Sequence, residues 1–175
     1  TAVAFLAFSR NKAHWTILEV GLGGRLDSTN IIKSSFLSII TPISMDHQEF
    51  LGNSIKKIAV EKSGIIKKDS KVIIAKQKNA ALKILKKRAN KFDCKTYIYG
   101  NDFKAKKTKN SFLFTTKRKK IILPLPFLNG SHQIDNASVS IAALLELKCR
   151  KKNLIDALTK VSWPGRLQKI EKGKL

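Results

Sequence analysis

Apolar residues fall into short clusters along the chain, and the spacing within each cluster sets what it can form. Ala2-Val-Ala-Phe-Leu-Ala-Phe8 reads as the end of a buried helix. Trp15-Thr-Ile-Leu-Glu-Val20 is a short apolar run closed by Gly21, which predicts a buried strand. Phe36–Thr41 predicts a second strand, stopped by Pro42. Ser54 can cap a helix whose apolar positions Ile55, Ile58 and Ala59 have helical spacing, with Gly64 just past its end. Lys71–Ala75 predicts a third strand, and Leu82, Leu85, Ala89 and Phe92 mark one face of a helix whose other face carries lysines. Strands alternating with helices in this way make an α/β chain, with a mostly parallel sheet flanked by helices.

The rhythm changes after residue 94. Thr96–Tyr99, Phe103–Lys107, Ser111–Thr116 and Lys119–Leu123 are short runs split by polar pairs, and they predict a small antiparallel sheet around 95–123 with one solvated face. Pro124 and Pro126 end it. Gly130-Ser131 opens a helix through Ala142, Leu145 and Leu147, and a short helix near Leu154–Thr159 precedes Trp163-Pro-Gly-Arg166.

Composition narrows the function classes. The 175 residues suit one domain with a real core, and a 43% hydrophobic fraction argues against wholesale disorder. Cys94 and Cys149 have neither metal nor redox spacing, and nothing points to a disulfide-stapled secreted domain. No apolar run is long enough to span a bilayer and no signal peptide is visible, so the expected compartment is the cytoplasm.

A net charge of +23 raises a nucleic-acid reading, since phosphate neutralisation drives non-specific binding. The plainer reading is background composition, because 29 of the 35 basic residues are Lys and six are Arg. The charge is also uneven. Residues 13–55 carry two basic residues, Arg25 and Lys33, and residues 121–147 carry none. The first stretch instead holds Glu19, Asp27, Asp46 and Glu49 beside ten glycines or serines. Burial keeps lysine out of a core but does not gather carboxylates, so part of this stretch reads as a site.

Two strand ends carry the candidate chemistry. Glu19-Val-Gly-Leu-Gly-Gly-Arg-Leu-Asp27 puts a glycine-rich turn where α/β sheets bind ligands. It is neither a dinucleotide fingerprint nor a P-loop. A carboxylate at Glu19 in an apolar run is costly unless paired or bound to metal, and the plainer partner is Arg25. Asp46-His47 follows the next strand, where the alternatives are a metal ligand or a capped turn. Together the two ends make a hard cation such as Mg²⁺ plausible, because magnesium takes few protein ligands. In Ser131-His132-Gln133 with Asn136, the Asn136 and Gln133 side chains can hydrogen-bond a planar base or an amide edge, with helix capping by Ser131 as the plainer account. Arg166 on a rigid turn is placed to meet a phosphate.

Five ordered segments, Glu19–Asn30, Ser44–Gly52, Glu61-Lys-Ser-Gly-Ile-Ile-Lys67, His132-Gln-x-x-Asn-Ala137 and Trp163–Arg166, together resemble one family. It is the folylpolyglutamate synthases and bifunctional dihydrofolate synthases of the Mur ligase superfamily. The resemblance implies the superfamily's central ATPase domain and an ATP-dependent ligase that adds L-glutamate to a folate or dihydropteroate carboxylate through an acyl phosphate. It implies Glu19 and His47 as magnesium ligands, and Lys62, as a carbamylated lysine, and His47 as catalytic residues. Asn136, Arg166 and His132 match nucleotide contacts, and Arg25 and Asp27 match contacts to dihydropteroate or a reduced folate. Ser63 and Phe50 are mild departures, where Ala and Tyr or Trp are commoner.

The resemblance also implies that residues 1–167 are part of the central domain, without the upstream P-loop, and that 168–175 begin a linker to a glutamate-ligase domain. On that expectation the stretch has little ligase activity by itself, and the full-length enzyme is a monomer with no membrane or specific nucleic-acid partner. The competing reading is a basic nucleic-acid-binding module, which requires lysines gathered on one face with aromatics among them.

Overall fold

A computed structural model describes residues 1–165. In chain order the elements are α1 (Ala2–Arg10), β1 (Leu37–Ile40), α2 (Gln48–Leu51), α3 (Ile55–Ser63), β2 (Lys71–Ile74), α4 (Asn79–Lys91), β3 (Lys95–Ile98), β4 (Phe103–Lys107), β5 (Ser111–Thr116), β6 (Lys120–Pro124), α5 (Gln133–Glu146) and α6 (Lys151–Lys160). A 3-10 turn covers Ser28–Ile31. Two three-stranded sheets form, β1-β2-β3 and β4-β5-β6. In the first, Lys71 and Ala75 amides donate to Phe36 and Ile40 carbonyls, and Lys95 and Tyr99 amides to Ser70 and Ile74, which is parallel pairing. Val72, Ile73 and Ile74 of the central strand are fully buried, the continuous apolar run expected of a parallel strand covered on both faces.

The chain divides into two compact units. The first comprises residues 1–38, 43–71 and 77–95. Here Ser54 caps α3, its Oγ accepting from the Lys57 amide, and Gly64 follows the helix as expected. α3 packs on α4. Ile58 and Ala59 of α3 and Ala81, Leu85 and Ala89 of α4 are fully buried, while Lys83, Lys86, Lys87 and Lys91 stay exposed. Burying one such leucine stabilises by about 1.5–3 kcal/mol, so the 81-85-89 stripe is what commits a lysine-rich helix to this face.

Two expectations for this unit change. Residues 2–10 form a helix, but none of its residues is buried. Residues 15–20 form no strand, and Ile17 is 92% exposed. The run has strand composition, but a strand requires a hydrogen-bonded neighbour, and no described strand pairs with it. Trp15 touches the described fold edge-on at the Phe36 ring, 5.1 Å between centroids.

The second unit comprises residues 39–42, 72–76 and the described residues from 96 onward. Its antiparallel sheet begins at Phe103, later than expected, because the run 95–98 joins the parallel sheet as β3. The register sets Phe112 opposite Leu123 and Phe103 opposite Thr116. Side chains alternate across a strand, so Phe103, Phe112, Phe114 and Leu123 are buried while Lys104, Lys106, Lys120 and Ile122 are exposed. α5 packs on β4, and α6 packs on β6 and α5. The lysine face of this sheet thus lacks the aromatic platform that the nucleic-acid reading requires, because its phenylalanines point the other way. Cys94 and Cys149 are free thiols, and no described helix is long and apolar enough to cross a membrane.

Candidate functional site

In the first unit the glycine-rich segment folds around Asp27. Its Oδ2 accepts from the Gly21 and Leu22 amides, both at 3.0 Å, and its Oδ1 from the Thr29 amide at 2.8 Å and the Thr29 hydroxyl at 2.6 Å. Asp27, expected as a substrate contact, therefore has both oxygens engaged in closing its own loop. Burial alone would raise its pKa, but the Leu22 amide, the Thr29 hydroxyl and amide and the Gly21 amide outweigh it, and the carboxyl lies below its ordinary 3.8. The depressed value stabilises the fold in full above pH 3.8 and loses that contribution as pH falls through the folded-state pKa. Asp27→Asn is expected to cost about 1–2 kcal/mol near neutral pH. The gap between wild type and variant in urea midpoints should close in that acid window; a gap independent of pH would contradict the assignment.

The loop docks on the C-terminal turn of α3. The Arg25 amide donates to the Glu61 carbonyl at 2.8 Å, and Asn30 Nδ2 spans the junction to the carbonyls of Arg25 (3.1 Å) and Gly64 (3.2 Å). Two glycines make this approach possible. A Cβ on Gly24, whose φ is +153°, would lie 2.9 Å from the Glu61 carbonyl oxygen, and one on Gly64 would lie 2.4 Å from Arg25 Cα. Lys67 Nζ donates to the Asn30 carbonyl at 3.2 Å, and burial together with the Arg88 charge lowers its pKa.

Arg25 does not pair with Glu19, as the plainer reading required. Its guanidinium meets Glu61: Nε lies 3.1 and 3.2 Å from the two carboxylate oxygens and Nη2 lies 3.1 Å from Oε1. Lys62, the next residue, is half-buried, and its ammonium makes no hydrogen bond or ion pair with a described residue. Segments 19–30 and 61–67, read separately in the sequence, are thus one interlocked piece.

Glu19 is exposed and has no basic partner among the described residues. His47 caps α2 at φ +47°, its amide donating to Asp46 Oδ1 at 2.9 Å and its Nε2 lying 3.6 Å from Asp46 Oδ2. Asp69, Asp93 and Lys148 share this left-handed conformation, so it marks a tight turn and does not by itself make a site. No three His, Cys, Asp or Glu side chains gather as a metal cage among the described residues. Glu19 offers a carboxylate oxygen and His47 an imidazole nitrogen, and magnesium takes one or two protein ligands and completes its shell with water or phosphate oxygen.

The second unit holds a cleft at the carboxyl ends of all three parallel strands. Pro42 lies beyond β1, Ala75 and Lys76 beyond β2 and Tyr99 beyond β3, facing Asp135, Asn136 and Val139 of the first turns of α5. Ligands of open α/β sheets bind at this end of the strands. The cleft measures about 120 Å³. That is well below the roughly 300–1,000 Å³ of pockets enclosing a whole drug-sized ligand. Asn136 Nδ2 donates to Gln133 Oε1 at 3.3 Å, and Gln133 Nε2 lies 3.2 Å from His132 Nε2, which links the three polar residues at the helix start. Ser131 does not cap α5; His132 occupies that position without a side-chain cap bond.

Tyr99 and Asp135 are functional candidates that sequence reasoning missed. The Tyr99 hydroxyl donates to Asp135 Oδ1 at 2.9 Å, and burial, then the Asp135 hydrogen bond and charge, raise its pKa, so it remains a donor. Asp135 stood in a lysine-free stretch, which was the available signal; Tyr99 lay in a run assigned to the other sheet. Arg166, expected at a phosphate, lies outside the described residues.

Comparison with known proteins follows this geometry. The family model of the Mur ligase middle domain matches residues 2–144. A dihydrofolate synthase/folylpolyglutamate synthase of Bacillus subtilis is 35% identical over 98% of this chain and 42% of its own length. The crystal structure of a folylpolyglutamate synthase from Thermotoga maritima superposes with a TM-score of 0.85 at 32% identity, over 98% of this chain and 40% of that one. A solved FPGS-AMPPCP-folate complex superposes with a TM-score of 0.90 at 28% identity, over 97% of this chain and 44% of that one. The chain spans less than half the length of each of these relatives.

Proposed function

The chain belongs to the Mur ligase middle-domain family, and on that premise we propose that the complete protein is a cytoplasmic ATP-dependent acid–amino-acid ligase adding L-glutamate to dihydropteroate or a reduced folate. In such a reaction a carboxylate oxygen of the acid attacks the γ-phosphorus of ATP and ADP leaves. The glutamate amine then attacks the acyl phosphate carbonyl, losing its proton, and inorganic phosphate departs. The B. subtilis relative, which carries this double name, and the nucleotide- and folate-bound relative support the reading.

The observation that carries it in this chain is the cleft at the ends of β1, β2 and β3, closed by the first turns of α5. The cleft is assigned to a base, with Asn136 supplying an amide to the ring edge and His132 on the same helix end. Arg166 is assigned to phosphate. Glu19 and His47 would hold Mg²⁺, which when bound neutralises phosphate charge during phosphoryl transfer. Lys62 is assigned as a carbamate, formed when its neutral amine adds CO₂ and releases a proton, which converts a cation into an acceptor. Arg25 is assigned to the acid substrate, and Asp27 holds the loop that carries Arg25. Asn136→Ala in the complete enzyme should raise KM for ATP about tenfold, the equivalent of 1.4 kcal/mol, and leave KM for glutamate unchanged. An unaltered KM for ATP would remove the cleft from the nucleotide site.

A further inference from the structure

We propose that Glu61 is a positioning residue, which holds the Arg25 guanidinium in one orientation so that its outer edge meets a planar acceptor edge of the acid substrate. This rests on the ligase reading and on the assignment of Arg25 to the acid. Glu61 engages the guanidinium side-on, through Nε and Nη2. A guanidinium is planar and carries five N–H donors in a fixed fork, so a carboxylate on the Nε edge leaves the Nη1 edge for a second planar partner. Nη1 has no partner among the described residues, and the Arg25 side chain is 55% exposed against 22% for Glu61. The fixed member of the pair is therefore Glu61, on the helix turn, and the presented member is Arg25.

Fastening the loop does not require this ion pair. The loop is already held by the Arg25 amide on the Glu61 carbonyl, by Asn30 bridging Arg25 and Gly64, and by the glycine-to-backbone contacts at Gly24 and Gly64. Exposed ion pairs also contribute little to stability. What the side-chain pair adds is direction. Arg has four rotatable side-chain torsions, and without Glu61 the guanidinium would have to be ordered when substrate binds, a loss that falls on binding.

The test is steady-state kinetics of the complete enzyme carrying Glu61→Gln, beside Glu61→Asp, Arg25→Ala and the Arg25→Ala/Glu61→Gln double variant. Glu61→Gln should raise KM for the acid substrate about five- to tenfold, with most of the loss in KM and little in kcat, and with KM for ATP and the thermal midpoint near wild type. Glu61→Asp should recover part of the effect. The double variant should be no worse than Arg25→Ala, because Glu61 acts through Arg25. An unchanged KM for the acid, additive losses in the double variant, or a fall in kcat that tracks a lower thermal midpoint would each overturn the assignment. Failure of the ligase reading would look different: the unaltered enzyme itself would not ligate glutamate, and the role given to Glu61 would fall with it.

Discussion

Substituting Gly64 by alanine is expected to destabilise the fold by about 2–3 kcal/mol, the upper part of the range for forcing a methyl group into a filled site. The backbone of Gly64 is not the reason. It lies in the right-handed helical region, at φ −60° and ψ −19°, where alanine is at ease. The reason is proximity, since an added Cβ would sit 2.4, 2.5 and 2.8 Å from Arg25 Cα, Cβ and N. Those atoms cannot swing aside like the end of a lysine. The loop would have to lift from α3, stretching the Arg25–Glu61 backbone bond and the Asn30 bridge with it. Urea unfolding measures this directly. A shift no larger than that of an ordinary surface substitution would mean that loop and helix are not in contact. Activity should fall as well, because Arg25 and Lys62 sit on the two sides of this junction.

Lys62→Ala should produce the opposite division of effects. No described residue bonds to its ammonium, so stability should be near wild type, while turnover of the complete enzyme should fall on the order of 10²–10³-fold, as when a group stabilising transition-state charge is removed. Added magnesium should recover little of it. Lys62→Arg separates two roles: arginine keeps a cation but cannot become a carbamate, so it should be as impaired as alanine. Turnover restored by arginine would show that position 62 acts as a cation, and wild-type turnover from Lys62→Ala would remove it from the site.

Local chemistry made much of the fold legible. The Ser54 cap and the Gly64 stop act within a few residues, and the structure realises both; of the expected α4 face Leu85 and Ala89 are buried, while Leu82 and Phe92 are half-buried and Ala81 completes the stripe. Expectations changed where composition had to stand for a partner. Trp15–Val20 has the content of a buried strand but pairs with no described strand, and Thr96–Tyr99 resembles its hairpin neighbours but hydrogen-bonds to β2. Pairing is a property of two segments, and a single run does not encode it. The site divides in the same way. Asn136 and the glycine-rich loop were visible as residue types in lysine-poor stretches. The Arg25–Glu61 pair was not, because Glu19 lay nearer in sequence and only folding brings Glu61, 36 residues away, to the guanidinium. The resemblance implies a substrate contact at Asp27, and the structure gives that carboxylate four bonds within its own loop, which its place in the sequence does not announce.

The most direct test of the ligase reading is transfer of labelled L-glutamate onto dihydropteroate and onto tetrahydrofolate by the complete enzyme, with ADP and phosphate release followed in parallel. The account predicts glutamate incorporation into at least one of these acids only when ATP is present, with ADP and phosphate formed in equal amounts to the new amide bond. A folded, complete protein that incorporates no glutamate into either acid, and instead binds RNA with a steep salt dependence untouched by ATP or folate, would contradict it.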